Sequence, residues 1–126
     1  MSKDTTFSEM YLQVTDERPW GTYTVLHDTE QCKVKTITVL PEQRLSYQSH
    51  EQRKEVWTCV EGQLTLIIND VEHTLNPGMS ATIYPKDKHR AWNKTKEPVR
   101  FIEVQTGTYF GEDDIIRYND DYGRDK

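Results

Sequence analysis

Two histidines, a glutamine and a glutamate are the residues of this sequence whose types and spacing best suit chemistry. Gln48 and His50 are two positions apart, so on a strand their side chains point to the same face. Glu55 begins the next predicted strand, and a turn can bring it back beside them, while His89 begins a later one. Together they form a mixed nitrogen and oxygen set that suits a divalent metal ion. Zn, Mn, Fe, Co and Ni all fit, and the set does not choose between them.

Only the combination of these residues indicates a metal site, because each one alone would be read as an ordinary structural or surface residue. His27 and His73 have no such partners and are predicted to lie on the surface. Four protein ligands also leave coordination positions open for the oxygen atoms of a substrate. The local charge of the loaded site would be about +1, since one carboxylate faces a divalent ion.

Short β-strands are predicted to position these residues. Strand-like segments alternate with turn signals such as Asn69-Asp70 and Asn76-Pro77-Gly78, which is typical of a β-sandwich or barrel. Helix signals are confined to residues 6–12 and 113–118, and each is predicted to form one turn. The predicted strands cover residues 22–27, 33–40, 45–50, 56–60, 63–68, 71–75, 80–84, 89–93 and 99–106.

Length and charge set limits on the function. The 126 residues correspond to one domain, predicted as a polar N-terminal arm at 1–17 and a domain at 18–126 that ends in an acidic tail. The net charge of -5 resides in residues 1–18 and 112–126, so the middle of the chain is neutral and can hold an anion site. This balance argues against a nucleic-acid or membrane partner. Without an apolar leader, and with Cys32 and Cys59 expected as reduced thiols, the protein is predicted to be cytoplasmic.

Several motifs resemble those of the cupin superfamily. Residues 42–62 are similar to the first cupin motif, and residues 78–93, with His89 followed by Asn93, resemble the second. A further series of motifs lies between residues 17 and 124. It includes Arg18-Pro19-Trp20-Gly21-x-Tyr23, Val34-Lys35-x-Ile37-x-Val39, Leu45-Ser46-x-Gln48-x-His50-x-x-Arg53-x-Glu55-x-Trp57, Ile102-Glu103-Val104-Gln105-x-Gly107-x-Tyr109 and Gly111-Glu112-Asp113-Asp114-Ile115-x-Arg117. In content and order, this series resembles the C-terminal cupin domain of type II mannose-6-phosphate isomerases.

This resemblance implies an all-β fold, a cupin double-stranded β-helix (jelly-roll barrel) with short terminal helical segments. It implies that Gln48, His50, Glu55 and His89 hold a divalent metal. The implied activity is metal-dependent aldose–ketose isomerisation, which interconverts mannose 6-phosphate and fructose 6-phosphate. A homodimer is suggested by family likeness alone. Larger members also carry a transferase domain with a Gly-rich phosphate loop, and because this sequence has no such loop, no guanylyltransferase activity is expected of it.

The isomerase reaction would need a base and cations for a phosphate. Arg53 lies between two metal ligands and matches an arginine of the family motif, so it is predicted to bind substrate or act in catalysis, although a solvated turn arginine fits as well. Lys35 and Glu103 are the other catalytic candidates, and either could instead face solvent. Arg100 and Arg117 are the further candidates for substrate binding.

Two positions depart from the cupin pattern. Glu42 stands where the first motif has glycine, so the turn must avoid a positive φ or accept strain to reach it. The segment Pro85-Lys86-Asp87-Lys88 lacks the usual glycine before His89, and we expect a reshaped turn with an intact ligand.

Other functions fit the same ligand set. The chain could be a metal-binding cupin that acts on another sugar phosphate or nucleotide sugar, as an epimerase or lyase. It could also be a non-catalytic sugar-binding module, for example one that serves a separate nucleotidyltransferase. The open metal site favours the enzyme interpretations, since a binding module needs none.

Overall fold

Eleven strands form two antiparallel sheets in the computed structural model, which describes residues 14–124. The strands are β1 (Thr15–Arg18), β2 (Gly21–Asp28), β3 (Cys32–Val39), β4 (Tyr47–Ser49), β5 (Arg53–Glu61), β6 (Leu64–Ile68), β7 (Val71–Leu75), β8 (Ser80–Ile83), β9 (His89–Trp92), β10 (Val99–Gly107) and β11 (Ile116–Asn119). The first sheet has the order β1-β2-β3-β10-β5-β8 and the second the order β11-β4-β9-β6-β7. The described residues contain no helix, and so none that could cross a membrane.

The predicted all-β cupin architecture is confirmed, but one of its terminal helical segments is wrong. Residues 112–114 form a turn and residues 116–119 form β11, which pairs with β4 at the edge of the second sheet. Ile116 and Tyr118 are residue types that favour strands, and β4, which pairs with β9 on its other side, offers this segment a hydrogen-bonding partner. The predicted helical turn at residues 6–12 lies outside the described residues. The predicted boundary at residue 18 falls inside β1.

The interior of the barrel is divided into an apolar end and a polar end. On β10 every second residue is buried, and these residues change from Val99 and Phe101 to Glu103 and Gln105 along the strand. On β5 the same alternation runs the other way, from Arg53 and Glu55 to Trp57 and Cys59, because the two strands are antiparallel. Buried apolar residues from both sheets form one core, whereas most of the buried charged side chains line the cavity at the opposite end.

Both turns that depart from the cupin pattern use a positive φ without glycine. Glu42 has a φ of 63°, so it accepts the conformation that glycine would adopt at lower cost. Lys86 has a φ of 74°, and its backbone N–H donates to the carbonyl oxygen of His50 across 2.7 Å. The expected reshaped turn before His89 is therefore present. The Asn69-Asp70 hairpin loop also has positive φ at both residues, as a two-residue turn requires.

Candidate metal centre

Three of the four predicted metal ligands meet at the polar end of the barrel. His50 follows β4, Glu55 lies on β5 and His89 begins β9, and each is almost completely buried. The Nε2 atoms of His50 and His89 lie 3.4 Å and 3.7 Å from the Glu55 carboxylate oxygens. One ligand atom from each residue falls within 4.8 Å of the others. The strands thus bring together residues that are up to 39 positions apart in sequence.

Gln48, the fourth predicted ligand, lies directly across from His89 in the second sheet. Its Cα is paired with that of His89 across β4 and β9, so the two side chains share one face. Gln48 Nε2 donates to the Ser46 hydroxyl across 2.9 Å, which leaves the amide oxygen as the available acceptor. Gln48 also lines the cavity that contains the three other residues.

Hydrogen bonds to backbone carbonyls fix how the two imidazole rings face the centre. His50 Nδ1 lies 2.6 Å from the carbonyl oxygen of Asp114, and His89 Nδ1 lies 2.9 Å from that of Asp87. A carbonyl only accepts, so each Nδ1 carries the proton and donates it. Each Nε2 therefore presents a lone pair toward Glu55, as a metal ligand must. The donor set of this chain fits a divalent ion.

The protonation states of His50 and Glu55 also suit metal binding. Burial lowers the pKa of His50 to about 4, so this ring is neutral at neutral pH. Burial opposes the ionisation of Glu55, but the neighbouring His89 and Arg53 outweigh it and hold the pKa of Glu55 at about 2. Trp57 Nε1 also donates to this carboxylate across 2.8 Å. Neutral imidazole and ionised carboxylate are the forms that bind metals.

Arg53 is buried directly beside the ligands. Its Nε donates to Glu55 across 2.7 Å, and its Nη2 lies 3.1 Å from His50 Nε2. Its Nη1 has no hydrogen-bond partner within residues 14–124. An unpaired, buried guanidinium nitrogen is costly, and an anionic ligand in the cavity would satisfy it.

Glu103 and Lys35, the other catalytic candidates, also face the cavity. They are Cα partners across β10 and β3, and both are about 95% buried. Burial, followed by the negative charge of Glu55, raises the pKa of Glu103 to about 7. Gln105 Nε2 donates a hydrogen bond to the Glu103 carboxylate. Lys35 Nζ lies 2.8 Å from the carboxylate of Glu112 and 4.5 Å from the centre of the Tyr23 ring.

The two predicted phosphate ligands have different placements. Arg117 on β11 is the Cα partner of Gln48 and lines the cavity, and its buried Nε has no hydrogen-bond partner among the described residues. Arg100 does not reach the cavity. It is exposed on the outer face of β10 and lies 4.0 Å from Glu61, because the alternation that turns Glu103 inward turns Arg100 outward.

The site also contains residues that the sequence reasoning did not assign to it. Glu112 lines the cavity, and Asp114 hydrogen-bonds to His50. The sequence pattern predicts a helical turn over residues 113–118, and that prediction does not place Glu112 or Asp114 at the site. The family motif over residues 111–117 was the one signal that could have marked them as part of the site.

Solved structures with a similar fold include proteins described as having a double-stranded beta-helix domain or a cupin domain. The chain matches a protein from Klebsiella pneumoniae described as having a double-stranded beta-helix domain, with a TM-score of 0.69, 23% identity and coverage of 82% of this chain and 89% of the other. It matches Rru_A2000 from Rhodospirillum rubrum, described as a cupin-2 domain, with a TM-score of 0.66, 14% identity and coverage of 82% and 77%.

Curated relatives are much longer proteins. The xanthan biosynthesis protein XanB of Xanthomonas campestris pv. campestris is 42% identical over 107 residues, which cover 85% of this chain and 23% of XanB. The mannose-1-phosphate guanylyltransferase ManC of Salmonella typhimurium is 40% identical over 107 residues, which cover 85% of this chain and 22% of ManC. This chain therefore spans less than a quarter of the relatives' length.

The family comparison covers nearly the whole chain. The model described as "Mannose-6-phosphate isomerase C-terminal" matches residues 5–120, which include every residue of the metal centre. With the cupin fold and the relatives in agreement, the chain belongs to the family of mannose-6-phosphate isomerase C-terminal domains.

Proposed function

We propose that this chain is a metal-dependent aldose–ketose isomerase that interconverts mannose 6-phosphate and fructose 6-phosphate. One observation carries the proposal: a buried carboxyl group with a pKa near neutrality, Glu103, faces the same cavity as the His50, Glu55 and His89 cluster. Family membership supplies the substrate class.

Isomerisation requires a proton to leave the carbon beside a carbonyl and to return to the neighbouring carbon. Gln48, His50, Glu55 and His89 would hold the divalent ion. When bound, that ion supplies electrostatic stabilisation for the negative charge that develops on the substrate oxygen. The two imidazoles cannot turn away, because their Nδ1–H groups are held by backbone carbonyls.

Glu103 is the proposed base. A carboxyl group with a pKa of about 7 can accept a proton and return it with little difference in free energy at neutral pH, as the reversible reaction requires. Gln105 holds the carboxylate in place through its hydrogen bond. Lys35, opposite Glu103, adds positive charge beside the developing enediolate.

The anionic end of the substrate would bind two arginines at the cavity, of which Arg53 is buried and Arg117 half-buried. Arg53 Nη1 and Arg117 Nε are nitrogen donors left without a partner among the described residues, and both side chains line the cavity. Guanidinium groups match the planar arrangement of phosphate oxygens. These two arginines therefore favour a phosphorylated sugar over a neutral one.

A coupled assay with the purified full chain tests the proposal. We expect turnover of mannose 6-phosphate after loading with Zn²⁺, Mn²⁺, Fe²⁺, Co²⁺ or Ni²⁺, and loss of turnover with a chelator. Glu103→Gln should reduce kcat by about 10²–10⁴-fold while it retains the metal. Absence of turnover with every metal would refute the proposal. Thermal stabilisation by sugar phosphates without turnover would then indicate a binding module, and turnover of another sugar would indicate a different enzyme.

A further inference from the structure

A segment from near the end of the chain, residues 108–119, closes over the polar end of the barrel. We call it the C-terminal strap. It is attached to the first sheet through Glu112 and Lys35, and to the second sheet through β11 and β4. A third attachment involves Asp114 and reaches the metal centre itself.

Asp114 contacts three consecutive residues, 50, 51 and 52. Its backbone carbonyl accepts the Nδ1–H of His50 across 2.6 Å. Its side-chain oxygens accept the backbone N–H groups of Glu51 and Gln52 across 3.1 Å and 3.0 Å, one oxygen for each. The residue thus holds both the imidazole ring and the backbone that follows it.

These contacts determine where His50 Nε2 points. The loop of residues 50–52 joins β4 to β5 and carries His50 between Gln48 and Arg53. Without the two side-chain contacts, residue 52 would still be attached to the strap through Thr108, whose backbone N–H donates to the Gln52 carbonyl oxygen across 3.1 Å. The Asp114 carbonyl, however, would be held less firmly opposite His50 Nδ1. Partners of this kind tune the orientation and basicity of a ligating histidine.

We propose that Asp114 is a positioning residue for the metal ligand His50, and that docking of the C-terminal strap and metal binding stabilise each other. The inference rests on the proposed metal centre and does not require the isomerase reaction. By thermodynamic linkage, the free energy by which the docked strap strengthens metal binding equals the free energy by which the bound metal stabilises docking of the strap.

The neighbouring residue provides a matched control. Asp113 is an exposed acid that accepts a hydrogen bond from Tyr109, a contact within the strap. Asp113→Ala therefore removes the same charge and the same number of atoms one position away. Any general effect of lowering the negative charge of the strap is common to both variants.

The first measurement is the affinity for Co²⁺, taken by competition with a chelator. We expect Asp114→Ala to bind Co²⁺ about 10–100-fold more weakly than the wild type, and Asp113→Ala to bind it within about twofold. The visible spectrum of bound Co²⁺ should change only in Asp114→Ala. Equal affinity and equal spectra in the two variants would overturn the proposal. If Asp114→Ala does not fold, Asp114→Asn, which keeps one acceptor oxygen, is compared with Asp113→Asn.

The second measurement is hydrogen exchange of the strap amides. In the wild type, Zn²⁺ should slow exchange in residues 114–118, and in Asp114→Ala this protection should be lost. Exchange in the strap that does not respond to Zn²⁺ in the wild type would contradict the coupling. Neither measurement depends on turnover, so failure of the isomerase proposal and failure of this one are distinguishable.

Discussion

Arg53 donates a hydrogen bond from Nη2 to Nε2 of His50 across 3.1 Å. The acceptor is the same lone pair that a metal ion would use, and one lone pair cannot serve both. A metal ion bound to His50 would therefore require Arg53 to release this nitrogen, and a second guanidinium nitrogen would become available to an anionic substrate. In the proposed site, metal loading and the availability of Arg53 would thus be linked.

Replacing Arg53 separates its two roles. In chelator-containing buffer, Arg53→Met should lower the free energy of unfolding by about 3–5 kcal/mol, because it leaves Glu55 buried without its charged partner. Zn²⁺ should raise the Tm of the variant more than that of the wild type, since the metal takes over the charge compensation. Differential scanning fluorimetry measures both shifts. An equal Zn²⁺-induced shift in the two proteins would contradict this prediction.

His50 is expected to be essential for metal content. His50→Ala removes one of three clustered ligands and should lose stoichiometric metal, as determined by elemental analysis. His73→Ala is the matched control, because His73 is exposed on β7 and is not part of the ligand cluster. Retention of one metal ion per chain in His50→Ala would mean that the ligand set is wrong.

Glu103 should make stability depend on pH. Its pKa is raised to about 7 from the ordinary value of 4.5, so between these values the folded state binds more protons than the unfolded state. The Glu103 contribution to stability is therefore present below about pH 4.5 and is lost as the pH rises through about 7. Urea unfolding of the wild type and of Glu103→Gln, in chelator-containing buffer, measures this contribution as the difference between their free energies of unfolding. We expect the wild type to lose stability relative to the variant across this range, and a constant difference would contradict the assignment.

Substitutions of Arg117 and Arg100, which the sequence predicts as substrate-binding residues, should have different effects on the KM. Arg117→Gln removes a cation that faces the cavity and should raise the KM for mannose 6-phosphate by about tenfold or more. Arg100→Gln changes an exposed residue and should leave KM within about twofold. Steady-state kinetics of both variants with the metal-loaded enzyme test this. Similar KM values for Arg117→Gln and the wild type would remove Arg117 from the proposed phosphate site.

The sequence was most informative where spacing alone determines position. Gln48, His50, Glu55 and His89 were predicted as one set, and the strands bring His50, Glu55 and His89 within 4.8 Å of one another and place Gln48 beside His89. Arg100 and Glu103 were both assigned to the site, yet three positions on one strand put side chains on opposite faces. Choosing between them requires knowledge of which face is buried. Asp114 and Glu112 could not be placed, because their contacts join residues more than sixty positions apart.

The division of the barrel interior suggests how this scaffold could be re-engineered. The apolar end holds the two sheets together, with Phe101 and Val39 on the first sheet and Leu66 on the second. The polar end carries Lys35, Glu55 and Glu103 on the first sheet, and His50 and His89 on or beside strands of the second. Catalytic specificity could thus be redesigned at one end while the folding framework at the other is left intact. Trp57 belongs to both ends, because it packs in the apolar core and donates a hydrogen bond to Glu55, so a redesign should leave it unchanged.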